Sequence, residues 1–145
     1  MKFLKTILLT ILVTSFSYSQ DLIDLSNAFK ADFNVDSVTL GVDSNIVNCS
    51  GAAIGYENGD YSAVYLTYHF TNQLDTDDSG EFTGLVWGQQ GENFLRGTLQ
   101  GVWRRNGQIF ELMTLDNIND GNVIFAVGKL NMATRTLKFD AGVVN

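Results

Sequence analysis

The stretch NFLRGTLQGVWRRNGQIFELMTLD, Asn93–Asp116, decides the fold class, because it holds two β-like runs around Asn106 and Gly107. Asn-Gly between such runs is the strongest short-range hairpin signal, since a type I′ turn needs positive φ at both central residues. With these two residues as the loop, the register predicts Trp103 opposite Phe110. The stretch therefore predicts an antiparallel hairpin whose aromatic pair points toward a core.

Alternation of apolar and polar residues extends this pattern from Val35 toward the end of the chain. Strands spaced this closely leave no room for crossover helices, so their pairing is antiparallel and largely sequential. A sheet of about eight strands tends to close, which removes its exposed edges. We therefore predict an up-and-down antiparallel meander that closes into a small barrel, with a two-layer sandwich as the alternative. The predicted strands are Val35–Val42, Ala52–Glu57, Tyr61–Thr71, Phe82–Gln89, Asn93–Arg105, Gln108–Asp116, Asn122–Leu130 and Arg135–Asp140.

A helical period is visible in one segment, Asp21 to Phe33. Leu22, Leu25, Phe29 and Phe33 recur at spacings of three and four, which would place them on one face of a helix. Asp21 has the side chain of a helix N-cap. The sequence therefore predicts one short N-terminal helix before the sheet.

The first nineteen residues have the three parts of a secretory signal peptide. Two lysines give a basic start, Ile7–Val13 forms an apolar run, and small residues precede a cleavage site after Ser19. The run is shorter than the roughly 20 residues that a membrane-spanning helix needs. We therefore expect residues 1–19 to be a signal peptide, residues 20–145 to form a single β-rich domain, and the mature protein to be secreted or periplasmic.

Acidic residues outnumber basic ones, with sixteen Asp and Glu against nine Lys and Arg. Loss of Lys2 and Lys5 with the signal peptide would leave seven basic residues and a formal net charge of −9. A surface this negative repels phosphates and anionic lipid, so we expect neither nucleic acid nor membrane as a partner of the mature chain. The partner classes that remain are a small molecule, a glycan or a protein. The single cysteine, Cys49, allows no disulfide within the chain.

The predicted strand Tyr61–Thr71 has two chemically different faces. One face is apolar, whereas the other carries Tyr61, Tyr65, Thr67 and His69. Tyrosine rings combine apolar area with a hydrogen-bonding tip, which suits a sugar or a peptide. These four residues are the candidate ligand-binding residues, and the alternative is the solvated outer face of a half-buried strand.

The acidic stretch that begins at Asp75, DTDDSGE, matches the start of a calcium-binding loop. Asp75, Asp77 and Ser79 would supply side-chain oxygens, and Glu81 would supply its carbonyl. The bidentate glutamate expected at the twelfth position is replaced by Val86. Calcium is therefore the one cofactor that the sequence suggests, and a solvated acidic hairpin loop is the alternative.

The sequence contains one histidine and no motif for a nucleophile, a phosphate-binding loop or a standard metal cluster. Enzymes of this size usually need several converging polar groups, so we favour an exported, non-enzymatic binding module whose ligand is unknown. A small carboxylate-based hydrolase or isomerase on the same barrel is one alternative, and a structural surface or matrix component is another. Catalytic residues are not assigned, because the sequence does not show which of Glu57, Glu81, Glu92 and Glu111 would converge.

Overall fold

The computed structural model describes residues 25–57 and 59–145, which form eight antiparallel strands. They pair in chain order, and the last strand pairs with the first, so the sheet closes into a barrel. The predicted up-and-down barrel is therefore confirmed, and the sandwich alternative does not form. The strands are β1 (Leu25–Leu40), β2 (Ser44–Tyr56), β3 (Gly59–Thr71), β4 (Ser79–Gln90), β5 (Asn93–Asn106), β6 (Ile109–Ile118), β7 (Val123–Asn131) and β8 (Thr136–Val144).

The predicted N-terminal helix is wrong for residues 25–33, which belong to β1, and residues 21–24 lie outside the described part. The apolar residues Leu25, Phe29 and Phe33 are four apart, and a spacing of four fits a helix turn as well as two steps along a strand. From Phe29 the inward positions continue as Ala31, Phe33 and Val35, all of which lie in or against the core. Pairing of β1 with both β2 and β8 closes the barrel, and this long-range pairing decides the conformation.

The β5–β6 hairpin forms where it is predicted, but its register differs by two residues. Asn106 pairs with Ile109, so the loop is Gly107-Gln108. Gly107 has a φ of +62°, as the first central residue of a type II′ turn does. Trp103 consequently faces Leu112, and the predicted pairing with Phe110 is wrong. A shift of two keeps every side chain on its expected face, and the rings of Trp103 and Phe110 still touch, with centroids 5.8 Å apart.

In a meander, successive turns alternate between the two ends of the barrel. One end, which we call the aromatic end, carries the β3–β4 and β5–β6 turns and is filled by large side chains. The rings of Tyr68, Phe70 and Phe82 are mutually in contact, with centroids 5.4 to 5.6 Å apart. The indole of Trp103 lies beside them and donates a hydrogen bond to the Thr71 carbonyl at 3.0 Å. These rings therefore pack against one another, and an apolar pocket of about 310 Å³ lies beside Phe70, Trp103 and Phe110.

Glycines let aromatic rings lie flat against the barrel wall. A Cβ at Gly128 would overlap the ring of Phe139, which is its cross-strand neighbour on β8. Such small positions beside large side chains are typical of sheets that coil into barrels. Within residues 25–57 and 59–145, no helix has the length and apolarity needed to cross a membrane.

Candidate functional site

The outer wall of the barrel carries a groove across β3, β4, β5 and β6, which we call the aromatic groove. Its two rings, Tyr65 and Trp87, are 57% and 52% exposed although both are large apolar side chains. They stand directly opposite each other on neighbouring strands, and both side chains line the groove as its aromatic surface. The residues that line the groove are Tyr65, Thr67, Leu85, Trp87, Arg96, Thr98, Asn117 and Asn119, above Val86, Gly97 and Ile118.

Strand register brings polar groups to the edge of this aromatic surface. Arg96 pairs with Trp87 across β4 and β5, and Thr98 pairs with Asn117 across β5 and β6. Asn119 is fixed in place, because its Oδ1 accepts the Arg96 backbone N–H at 2.8 Å. The amide group of Asn119 keeps its two N–H donors, and Arg96 adds the donors of a guanidinium. The groove therefore combines flat rings with hydrogen-bond donors on a rigid sheet.

A second pair of rings lengthens the aromatic surface. Phe94 is 52% exposed, and its ring centroid lies 5.9 Å from that of Trp87. Exposed apolar side chains that stand singly are ordinary on proteins, but a contiguous patch marks an interaction surface. Tyr65, Trp87 and Phe94 form such a patch.

The four candidate ligand-binding residues of β3 are divided between the two sides of the wall. Tyr65 and Thr67 line the aromatic groove, and His69 is exposed on the same strand beyond it. Tyr61 instead lines the interior, where its ring lies 6.0 Å from that of Tyr56. The predicted shared face is therefore wrong for Tyr61, because the β2–β3 register shifts between Tyr61 and Val64 and reverses the alternation.

The barrel interior contains a cavity of about 80 Å³, which we call the interior cavity. Its walls are almost entirely apolar, with aromatic rings from Phe33, Tyr68 and Phe139 among them. Two polar side chains, Thr114 and Asp116 of β6, face into it. The cavity is far smaller than the roughly 300–1,000 Å³ of pockets that hold drug-sized ligands. A large apolar ligand inside the barrel is therefore not what this core accommodates.

Asp116 is a carboxyl group at an inward position, with only 8% of its surface exposed. The Thr114 hydroxyl donates a hydrogen bond to its Oδ1, and the Gln100 backbone also hydrogen-bonds the carboxyl. Burial outweighs these two contacts and raises the pKa of Asp116 to about 7. The carboxyl therefore changes its charge near neutral pH, inside the core.

Asp116 lies at a break in the β5–β6 ladder. Regular pairing stops at Thr98–Asn117 and resumes at Gly101–Thr114. In between, the amide group of the Gln100 side chain hydrogen-bonds the Leu115 carbonyl, and the Thr114 hydroxyl lies 3.2 Å from the Gln100 carbonyl. Side chains thus replace backbone bonds at this point of the wall.

The end of the barrel opposite the aromatic end is closed by a polar cluster, which we call the latch. The phenol of Tyr56 donates to Asp120 Oδ2 at 2.5 Å and accepts from Asn122 Nδ2 at 3.0 Å. Asn122 also donates to Glu57 Oε1 at 3.0 Å, which ties the β6–β7 turn to the β2–β3 turn. Burial and the bond to Asp120 raise the pKa of Tyr56, so the phenol keeps its proton. The ring of Tyr56 forms part of the cavity wall beneath.

The acidic loop uses several of its oxygens internally. Ser79 Oγ shares a hydrogen bond of 2.9 Å with the Thr76 hydroxyl, and Glu81 Oε2 accepts from the Gln73 backbone N–H at 3.1 Å. Asp75 and Asp77 are exposed. Among the described residues, no group of three His, Cys, Asp or Glu side chains is placed to hold a metal ion. Calcium binding at this loop stays a prediction.

Cys49 is a buried thiol of the core. Burial raises its pKa to about 12, so the reactive thiolate form is suppressed.

Comparison of the chain with protein-family models, with curated proteins and with solved structures gave no match in any of the three.

Proposed function

We propose that this protein is an exported, non-enzymatic β-barrel that binds a glycan in the aromatic groove. The observation that supports this is the directly paired, half-exposed rings of Tyr65 and Trp87 beside Arg96 and the amide of Asn119. Sugar rings present apolar C–H faces that stack on aromatic rings, and hydroxyls at their edges. Aromatic rings with adjacent hydrogen-bond donors match both parts.

The small size of the interior cavity also favours the outer wall as the binding site. The interior cavity is only about 80 Å³, so it has no room for a saccharide chain. The aromatic groove, in contrast, lies on paired strands, and such a site needs little reorganisation on binding. A rigid platform of this kind suits an extended saccharide chain.

Export is part of the same proposal and is supported by the signal-peptide pattern of residues 1–19. Mass spectrometry of the secreted or periplasmic fraction should find a chain that begins at Gln20. Recovery of the protein with residues 1–19 attached would contradict export by this route.

Affinity electrophoresis in gels that contain soluble polysaccharides tests glycan binding. The panel should include neutral chains, such as laminarin and xyloglucan, and acidic chains, such as alginate and polygalacturonate. We expect at least one to retard the protein. Trp87→Ala and Tyr65→Ala should each weaken this binding at least tenfold, since truncation of an aromatic anchor costs about 2 kcal/mol or more.

Val127→Ala is the matched control, because Val127 is exposed on the outer face of β7, outside the groove. This variant should bind like the unmodified protein. Retardation that is equal in Trp87→Ala and the unmodified protein would overturn the proposed site. Absence of retardation by the whole panel would overturn glycan binding and would favour a protein partner for the aromatic patch.

A further inference from the structure

The interior cavity has one ionisable group besides its tyrosines, the carboxyl of Asp116. The other lining side chains are apolar or hydroxyl-bearing, and none of the described lining residues is Lys, Arg or His. An ionised carboxylate in such a place lacks a counter-charge. The cavity is therefore chemically complementary to a small cation.

The carboxyl also has hydrogen-bonding capacity to spare. Thr114 and the Gln100 backbone each make one hydrogen bond to it. A carboxylate offers about four lone-pair sites, so roughly two remain for a donor in the cavity. An ammonium group, with three N–H donors and one positive charge, suits these sites.

The remaining walls favour a cation with an apolar body. The rings of Tyr61, Tyr68 and Phe139 line the same cavity, and aromatic faces attract cations. Aliphatic side chains such as Leu99 and Ala126 complete the wall and suit an alkyl chain. An amine with a short alkyl chain matches both surfaces.

The size of the interior cavity limits the length of the alkyl chain of the amine. The cavity volume of about 80 Å³ is roughly half that of an engineered 150 Å³ cavity that accepts benzene. Propylamine, which has four non-hydrogen atoms, is a molecule of about the right size for this volume. Four such atoms limit the dissociation constant to about 40 μM at best.

We propose that the interior cavity is a binding site for a small aliphatic amine, whose ammonium group pairs with the Asp116 carboxylate. The latch over the cavity gives the route of entry. Separation of Tyr56 from Asp120 and Asn122 would free the ring that covers the cavity at this end. The site is distinct from the aromatic groove and does not depend on the proposed function.

The proposal includes a pH dependence, because pairing needs the carboxylate form of Asp116. The groups around the carboxyl are the Thr114 hydroxyl on β6, the Gln100 backbone on β5 and the Tyr68 phenol on β3. Burial keeps Tyr68 protonated throughout the neutral range, so Asp116 alone titrates here. Amine binding should therefore strengthen from pH 6 to pH 8, as the carboxyl, with its pKa of about 7, ionises.

Titration with propylammonium chloride, followed by NMR of methyl groups, tests the proposal at pH 8. We expect saturable shifts at the Leu99 and Ala126 methyls, with sodium chloride at equal ionic strength giving none. Asp116→Asn should weaken binding at least tenfold. Asp140→Asn is the matched control, because it removes a carboxylate that is 80% exposed on the outer wall. This control should bind as tightly as the unmodified protein.

Two further comparisons keep the test decisive if Asp116→Asn does not fold. Propanol has the same shape as propylamine without the charge, so it should bind the unmodified protein at least tenfold more weakly. Ala126→Leu should fill part of the cavity and abolish amine binding while the carboxyl stays in place. Equal binding of propanol and propylamine, amine binding of undiminished affinity in Asp116→Asn, or saturable amine binding in Ala126→Leu would overturn the proposal. Absence of saturable shifts in the unmodified protein would overturn it as well.

Discussion

Replacement of Asp116 by asparagine should remove a pH dependence of the free energy of unfolding. The folded protein holds the Asp116 proton up to a pKa of about 7, whereas the ordinary pKa of an aspartate side chain is 3.8. The difference of about 3 units corresponds to roughly 4 kcal/mol at 1.36 kcal/mol per unit. Asparagine keeps the size of the side chain and an oxygen that can accept the Thr114 hydroxyl, but it cannot ionise.

The sign follows from proton binding. Between pH 3.8 and about 7 the folded state retains a proton that the unfolded state has lost, so stability falls as pH rises. Above about pH 7 both states are ionised, and this contribution becomes constant. From pH 5 to pH 8 the unmodified protein should lose about 3 kcal/mol relative to Asp116→Asn. The free energy of unfolding of the variant should therefore rise, relative to that of the unmodified protein, as pH increases.

Urea denaturation followed by tryptophan fluorescence measures this difference, since Trp87 and Trp103 lie on separate parts of the barrel. Asp140→Asn is the control. The hydrogen bond and charge of Lys30 lower the pKa of Asp140, so its contribution changes only in the acid range, below its usual pKa. Its curve should run parallel to that of the unmodified protein between pH 5 and 8. Parallel curves for Asp116→Asn would refute the buried, protonated carboxyl.

Three further changes test the fold and the acidic loop. Gly107→Val should lower the free energy of unfolding by roughly 1–3 kcal/mol in urea melts, because Gly107 has a φ of +62°; an unchanged midpoint would contradict the turn. Gly128→Ala should cost a similar roughly 1–3 kcal/mol, since the new methyl group overlaps the Phe139 ring; a neutral effect in the same assay would show that the ring moves aside at no cost. Calcium at millimolar concentration should raise the melting temperature more than magnesium does if Asp75 and Asp77 bind it. An equal response to both ions, or a calcium response that survives Asp75→Asn with Asp77→Asn, would show that the loop is a solvated turn and not a calcium site.

Period-two alternation predicted the barrel because it reports which side chains face inward, and closure follows from the need to cover sheet edges. The spacing of apolar residues predicted the wrong element in β1, because a spacing of four, as between Phe29 and Phe33, occurs on one face of a helix and on one face of a strand. Alternation also does not distinguish Asn106-Gly107 from Gly107-Gln108 as the β5–β6 loop, and the Asn-Gly signal selected the first, which is wrong. Both choices put Trp103 on the inside, and the pairing of Asn106 with Ile109 shows which loop forms.

Asp116 could have been identified from the sequence. The inward positions of β6 continue in phase as Leu112, Thr114, Asp116 and Ile118, so a carboxylate stands where the alternation demands an apolar residue. An ionisable group in a core position is a recognised mark of a functional site. Asp116 is the last residue of the predicted strand Gln108–Asp116, and a charged residue at the end of a strand is ordinary, so its inward phase went unrecognised.

The latch and the aromatic groove depend on information that no local pattern holds. Tyr56 and Asp120 are 64 residues apart, and they meet because the β2–β3 and β6–β7 turns lie at the same end of the barrel. Tyr65 and Trp87 were both expected on strands, but their position opposite each other follows from the β3–β4 register. Registers in turn depend on where bulges fall, and the shift between Gly51 and Ala53 is what moved Tyr61 inside.

The two proposed sites lie on opposite sides of one stretch of wall. Val86 and Ile118 line the interior cavity and also underlie the aromatic groove, with Gly97 between them. A Cβ at Gly97 would lie 2.6 Å from Ile118 Cδ1 and 3.0 Å from Val86 Cγ1, so these side chains fill the space that the glycine leaves. Because protein interiors are close-packed, a ligand that shifts one of these two side chains must move the other face of the wall too. Coupling is therefore measurable: a polysaccharide bound in the groove should change the affinity of propylammonium for the cavity, and the amine should change polysaccharide affinity by the same factor.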